Sequence, residues 1–359
     1  ASMSLPETMK GVVLIGHGGL DQLVWREDLP VPRPAAGDVL IRVGAAAVNN
    51  TDVNTRTGWY SKSVRGDTAS GAADGYSDAA ATDGGWSGAL TFPRIQGADC
   101  CGTIVAVGRN VDHARIGERV LVRPMRRPAG ADDPMALATF GSERDGGFAE
   151  YTTAASVDAV GVNSNLTDIE PASLPCAYST AEGMIQRVKL GAEKVLITGA
   201  SGGVGSAAIQ LAKRRGAHVT AITTAGKGDV LRSLGADETL DRTAPFQAGA
   251  FDVALDLVGG SRWGELIDAL RKGGRYVTSG AIAGPIVELD LRTLYLRDLS
   301  IFGSTFQPAS VFTDLVGYIE AGEVRPLVAK TYPLRELRAA QEEFLSKAHI
   351  GKIVIDVSG

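Results

Sequence analysis

The chain has 359 residues, enough for two domains at roughly 100–200 residues each. Hydrophobic residues make up 44% and charged residues 21%, the composition of a folded globular protein rather than a disordered or fibrous one. Its 36 basic and 41 acidic side chains leave a net charge of −5, which argues against a chain that grips nucleic acid or an anionic membrane through bulk charge.

The 45 glycines follow no three-residue period, so collagen is excluded and Gly-rich turns are expected. The longest uncharged stretch, Val195 to Ala212, is interrupted by four glycines and by Thr198, Ser201, Ser206 and Gln210, too polar for a membrane span. The N-terminus lacks the basic-then-apolar pattern of a signal peptide. Three cysteines, Cys100, Cys101 and Cys176, cannot build a disulfide framework. A cytoplasmic protein with no nucleic-acid or membrane partner is expected.

Residues 10–160 read as short strands between turns: KGVVLIG, LVWREDL, DVLIRVGAAAV, CGTIVAVG and ERVLVRP are Val/Ile/Leu-rich runs bounded by Gly, Pro and Asp. Little there has helical periodicity, which predicts a barrel-like all-β unit. Within it, residues 61–90 hold 24 Gly, Ala, Ser, Thr or Asp out of 30, a loop composition. The insertion, taken as 61–92, is either a mobile surface loop or a lid over the active site. Residues 124–146 carry the same ambiguity.

The rhythm changes after about residue 165. KVLITGA is a continuous apolar strand and VGSAAIQLAKRRGA has helical spacing, closed by a basic last turn and Gly216. Strand HVTAITT, helix GDVLRSLGA, strand FDVALDLV, helix RWGELIDALRKGG and strands RYVTSG and LSIFGSTF follow. Strands alternating with helices imply a parallel sheet wound on both faces. Beyond Phe306 the order is helix, Pro-bounded strand, helix and strand KIVIDV, pieces expected to return to the first domain.

The strongest motif is the run from Val195 to Gly205, VLITGASGGVG, ahead of a helix. Strand, Gly-rich turn and helix present backbone N–H groups and a positive helix end to a pyrophosphate. Gly202 lets the backbone approach the phosphates and Gly205 lets the helix pack closely. Ala200 stands where the usual G-x-G-x-x-G begins, so the fingerprint fails by one residue. Ser201, Gly202, Gly203 and Val204 are the expected phosphate contacts. After the next strand an NAD site normally offers an acid to the ribose 2′-hydroxyl. Here the chain reads AITTAGK, and Thr223, Thr224 and Lys227, with Arg242 beyond the following short strand, suit a 2′-phosphate instead. The cofactor expected is NADP(H). Nicotinamide contacts are expected from later strand ends, at Val258, Gly280 and Ala281, and Ser304.

With Gly37-Asp-Val-Leu40, Val48-Asn-Asn-Thr-Asp52, Gly97-Ala-Asp-Cys-Cys-Gly102, Gly117-Glu-Arg-Val120, Gly147-Phe-Ala-Glu-Tyr151 and Gly351-Lys-Ile-Val354, the sequence resembles the medium-chain dehydrogenase/reductase superfamily. Within it the chain is most similar to the zinc-independent quinone oxidoreductase branch. The resemblance covers most of the chain outside 61–90 and 124–146. It implies an α/β architecture in which a Rossmann doubly wound parallel sheet, residues 167–307, is inserted into a GroES-like β-barrel catalytic domain, residues 1–166 and 308–359. It also implies an active site in the cleft between them and assembly as a homodimer or homotetramer, with Ile301–Phe306 as a candidate edge strand.

Zinc-dependent members carry Cys, His and Cys ligands at positions that fall here on Asn49, Ala98 and Cys176. One ligand of three survives, and residues 122–146 lack the cysteines of a structural zinc lobe, so no metal is expected. Cys176 is expected to be a buried packing residue. Reducing a ketone builds charge on one oxygen, which zinc stabilises as Lewis acid. Reducing a quinone or the C=C of an enone or enal spreads that charge, and hydrogen-bond donors suffice. The resemblance implies that the run Asn49-x-x-Asp52-x-Asn54-x-x-x-Gly58-x-Tyr60 lines the nicotinamide and substrate cleft and offers them, with Tyr60 as acid or polarising group, Asn49 and Asn54 as orienting donors, and Asp52 stabilising a loop or helix cap. The expected activity is NADPH-dependent reduction of a small-molecule quinone or activated C=C. Two alternatives stand beside it. One is a 2-enoyl thioester reductase using Arg56, Lys62 and Arg65 for carrier phosphates. The other is an NADPH-binding module with little catalysis.

Overall fold

The Val- and Ile-rich runs of the first 165 residues form strands, as side chains that are stiff at Cβ favour. A computed structural model describes residues 4–77, 79, 80, 83–126, 128, 130–224 and 226–359. Parts of the 61–92 and 124–146 stretches, and Ala225 in the AITTAGK run, lie outside the described residues. In chain order come β1 Thr8–Leu14, β2 Leu23–Pro30, β3 Asp38–Ala47, α1 Asn50–Thr57, β4 Asp99–Val107, β5 Arg119–Val122, β6 Met125–Arg126, β7 Ala138–Thr139, β8 Tyr151–Ala155 and β9 Ala159–Gly161. After α2, Pro175–Arg187, strand and helix alternate: β10 Lys194–Ile197, α3 Gly203–Arg214, β11 His218–Thr223, α4 Gly228–Ser233, β12 Glu238–Asp241, β13 Phe251–Asp256, α5 Trp263–Asp268, β14 Leu270–Thr278, α6 Leu291–Leu296 and β15 Ser300–Gly303. The chain closes with α7 Ala309–Glu320, β16 Val328–Pro333, α8 Leu337–Ser346 and β17 Lys352–Asp356.

Two units separate. One comprises the chain through Val64, Gly71–Cys176 and Phe312–Gly359; the other comprises Arg65–Ser70 and Ala177–Val311. In the first, the main sheet runs β16-β17-β3-β4-β5-β9, with β8 also on β3. β3 is its centre: it pairs antiparallel with β4, β8 and β17, and Val39, Ile41 and Val43 are buried against Ile104, Val120, Phe148 and Ile353. The β17–β3 pairing sets Val354 opposite Ala47, so the start of β17 lies beside the end of β3 and the N-terminus of α1.

In the second unit the described residues form a six-stranded parallel sheet, β12-β11-β10-β13-β14-β15. Counted from β10, that order is 3-2-1-4-5-6, the doubly wound Rossmann arrangement, whose direction of winding reverses between β10 and β13. Ile197, Thr223, Asp256, Thr278 and Gly303 end five of the strands on one edge of the sheet.

Three local expectations need correction. α1 was not expected, because NTDVNTRT has a single apolar residue and so no amphipathic period. α5 stops at Asp268, and the expected helical tail from Leu270 pairs with β13 as part of β14. α6, in a stretch to which the sequence assigns no element, buries none of its residues and so carries no apolar stripe.

Candidate active site

The catalytic candidates of the first unit hang on α1. Asn49 is its extended N-cap, at φ −127° and ψ 161°, and Asp52 at N3 accepts the Asn49 backbone N–H at 2.8 Å. Asp52 also accepts the Gly97 N–H at 3.2 Å, so its side chain ties the helix start to the chain entering β4. Burial, reinforced by the nearby charge of Asp99, pushes the Asp52 carboxyl up to about 7. Gly58 ends the helix at φ +82°, a left-handed conformation suited to glycine, and turns the chain so that Tyr60 folds back on the helix.

The Tyr60 hydroxyl donates to Thr51 Oγ1 at 3.0 Å and has Asn54 as its second side-chain partner. Burial pushes its phenol up to about 12, against the opposing pull of those two bonds. It therefore stays protonated through neutral pH. Trp59 packs edge-on against it, ring centres 5.6 Å apart. Cys176 is half-buried, less enclosed than the buried packing residue expected.

Asn49 faces elsewhere. Its amide nitrogen donates to Asp99 at 2.9 Å and its amide oxygen accepts from the Lys352 ammonium. Tyr60 and Asn54 are thus brought together, and Asn49 joins a separate buried cluster. Sequence reasoning missed three members of this region: Thr51, Asp99 and Lys352. The last two were visible only as letters in the Gly97–Gly102 and Gly351–Val354 markers, and nothing in either marker assigns them a partner.

A zinc ion does not fit these residues. Ala98 offers no donor, and the Asn49 amide oxygen, the atom that could ligate a cation, already accepts from the Lys352 ammonium. Among the described residues no group of three or more His, Cys, Asp or Glu side chains is arranged to hold a metal.

Arg56 also corrects the sequence reading. It is fully buried, donating to Gly18 O and Ala72 O at 2.8 Å each and to Gln341 at 3.1 Å, so it cannot meet a carrier phosphate. Burial lowers its pKa to about 10. Instead it fastens Ala72, within the 61–92 insertion, to α1 and α8. Lys62 and Arg65 are exposed.

In the second unit the cofactor candidates gather along the edge where the strands end. Gly202 is the N-cap of the 12-residue α3 and brings no side chain to its first-turn N–H groups, which leaves them for an anion. A Cβ on Gly205 would lie 2.1 Å from Gly199 O, so close helix–strand packing demands glycine there. Ser201, Gly203 and Val204 line the same turn and are partly exposed. Thr223 ends β11, and its buried hydroxyl has no hydrogen-bond partner among the described residues. Thr224 follows it, half-buried. Burial and the charge of Arg242 both lower the Lys227 pKa, which puts these two cations in one neighbourhood.

Val258 is set by Asp256, which accepts its N–H at 3.0 Å and also the hydroxyls of Thr198 at 2.7 Å and Tyr276 at 2.6 Å. Gly280 and Ala281 begin the loop after β14, where the Ala283 N–H donates to Val258 O at 2.8 Å. Ser304 follows β15, its carbonyl accepting from Ser279 at 2.6 Å. An orphaned hydroxyl, an uncapped helix start and paired cations fit a phosphorylated dinucleotide. Asp256, Thr198 and Tyr276 were not foreseen, since a buried network is invisible in strand-like sequence.

Family models match at residues 35–164, the alcohol dehydrogenase GroES-like domain, and at 234–355, zinc-binding dehydrogenase. A crystal structure from Sinorhizobium meliloti 1021, provisionally described as an alcohol dehydrogenase, is 45% identical over 98% of this chain and 97% of that one, with a TM-score of 0.87. The NADPH-dependent alkenal/one oxidoreductase of Arabidopsis thaliana chloroplasts is 28% identical over 99% of this chain and 81% of its own length. The acryloyl-coenzyme A reductase of Sulfurisphaera tokodaii is 27% identical over 97% of this chain and 99% of its own. The chain belongs to the medium-chain dehydrogenase/reductase superfamily, an oxidoreductase family, and combines a GroES-like domain with a parallel-sheet Rossmann domain.

Proposed function

We propose that this protein is an NADPH-dependent, zinc-independent reductase of quinones or of the activated C=C of enones and enals, of the quinone oxidoreductase type. The observation that carries the reading is the donor set on α1. It supplies hydroxyl and amide hydrogen-bond donors, and Asn49 at its N-cap stands where a zinc-dependent relative has a metal ligand. Likeness to an alkenal/one oxidoreductase supports the same class of substrate. The domain reading that goes with it assigns residues 167–307 to the cofactor and 1–166 with 308–359 to catalysis.

NADPH supplies a hydride equivalent, and the negative charge that follows spreads to an enolate or phenolate oxygen. Ser201, Gly202, Gly203 and Val204 would hold the pyrophosphate. Thr223, Thr224, Lys227 and Arg242 would hold the 2′-phosphate, whose charge offsets the repulsion between the two cations. Val258, Gly280, Ala281 and Ser304 would border the nicotinamide. Tyr60 keeps its proton at neutral pH and donates it, or a hydrogen bond, to the developing oxyanion. Asn54, as hydrogen-bond partner of the phenol, steadies the charge left on Tyr60, and Thr51 offers a route for re-protonation. Asn49 orients the substrate through the N–H that Asp99 does not use.

The six-stranded sheet ends at β15, where Ile301 and Phe306 are exposed, and Leu291, Tyr295 and Leu296 of the preceding α6 are more exposed still. This edge supports assembly as a homodimer. A second reading, reduction of a 2-enoyl thioester, is favoured by the likeness to acryloyl-coenzyme A reductase. With Arg56 buried it has only Lys62 and Arg65 of its basic set. Rates of NADPH oxidation against short enones, quinones and enoyl-CoAs separate the readings: the proposal expects enones or quinones to lead, and an enoyl-CoA lead would replace it.

A further inference from the structure

Three buried groups far apart in sequence meet at the N-terminus of α1. Lys352 is 3% exposed at the start of β17; its ammonium contacts the Asn49 amide oxygen and lies 3.2 Å from Asp99, which is fully buried. Asp99 accepts from the Asn49 amide nitrogen at 2.9 Å and from the Cys176 backbone N–H at 2.7 Å. An ammonium only donates and a carboxylate only accepts. The Asn49 amide is left with one orientation, oxygen toward Lys352 and nitrogen toward Asp99. A flip would set donor against donor and acceptor against acceptor among three side chains that are each at least nine-tenths buried. One Nδ2 hydrogen is used on Asp99, so the second points in a fixed direction. The positive charge on the amide oxygen also draws electron density from that N–H and makes it a stronger donor.

We propose that Lys352 and Asp99 are positioning residues that lock and polarise the Asn49 amide as a preset donor to the substrate oxygen, with Lys352 as a built-in cation in the donor set that carries zinc in metal-dependent relatives. The function of the lock rests on the reductase reading above. Its geometry does not, because all three residues belong to the catalytic unit.

The test compares Lys352→Met, Lys352→Arg and Asp99→Asn with the wild type, using NADPH and the short enone that the wild type turns over best. Lys352→Met and Asp99→Asn should lower kcat by about 10²-fold, the effect of losing one oxyanion donor. NADPH affinity should stay unchanged, and Lys352→Arg should recover a large part of the loss. A folded Lys352→Met enzyme with kcat within about threefold of wild type overturns the proposal, as does a loss shared equally by kcat and NADPH affinity. A second measurement uses the unaltered protein and covers variants that fail to fold. In ¹⁵N-labelled protein, one lysine ammonium should be protected from exchange and close to an asparagine side-chain amide, and this signal should vanish in Lys352→Arg. Absence of the signal in the wild type overturns the lock. If the wild type reduces no enone or quinone, the functional reading fails and the ammonium signal alone decides the lock.

Discussion

Tyr60 holds its proton because burial raises its pKa to about 12, outweighing the opposing pull of its bond to Thr51. Tyr60→Phe removes the proton and keeps the ring packed against Trp59. We expect turnover to fall by about 10²-fold or more, as loss of a general acid does. NADPH affinity, measured by fluorescence titration, should not move. Asp52 makes a different prediction, about stability. Its folded pKa is about 7 against an ordinary 3.8, so the folded state binds the proton more tightly than the unfolded one. Stability from this group is complete below about pH 4 and is lost as pH rises through 7, by roughly 4 kcal/mol at about 1.4 kcal/mol per pH unit. Asn at this position cannot ionise. The difference in Tm between Asp52→Asn and wild type should therefore shift in favour of the variant between pH 4 and 8; a constant difference would refute the raised pKa. Tyr60 and Asn54 were legible because they lie within one helix and its exit turn. The Asn49 cluster was not, since its partners are 50 and 303 residues away and two separate pairings unite them, β4 on β3 for Asp99 and β17 on β3 for Lys352. Arg56 was misread for the same reason: a polar octapeptide gives no sign that nearly all of its length is buried.

At the scale of elements, the turn into α3 separates two glycine roles. Gly202 has ordinary extended angles, φ −75° and ψ 177°, and the nearest atom to a Cβ there is 3.5 Å away. Gly202→Ala should leave Tm nearly unchanged and weaken NADPH binding at least tenfold, on the order of 1.4 kcal/mol, because the methyl group occupies the approach to the phosphates. Gly205→Ala forces a contact of 2.1 Å with Gly199 O and should lower stability by about 1–3 kcal/mol, as overpacking does. Thermal melts and NADPH titrations of the two variants check both claims, and equal effects would show that the turn is merely structural. This motif was readable because strand, turn and helix are contiguous. α5 was overextended because ALRKGG continues a helical pattern; the pairing of β14 with β13 overrides that local preference.

For the whole molecule, the alternation of strand and helix after residue 165 announced the parallel sheet, since each crossover is local in sequence. The return of the C-terminal strands to the first unit depends on pairings that no local pattern encodes, such as β17 on β3, and the family resemblance rather than periodicity implies it. That Ala98 offers no donor and that the Asn49 amide oxygen is engaged by Lys352 has a direct consequence. Dialysis against EDTA, or addition of ZnCl₂ at equimolar concentration, should leave turnover and Tm unchanged; loss of activity on chelation that zinc restores would contradict the account. No helix among the described residues is long and apolar enough to cross a membrane. The central claim is that a hydride equivalent enters the C=C of an activated substrate rather than its carbonyl carbon. The measurement that tests it most directly follows deuterium from 4-deuterated NADPH into the product of a short enone by NMR. Conjugate addition gives a saturated ketone carrying deuterium at the carbon β to the carbonyl, the expected product. An allylic alcohol with deuterium on the former carbonyl carbon would contradict it.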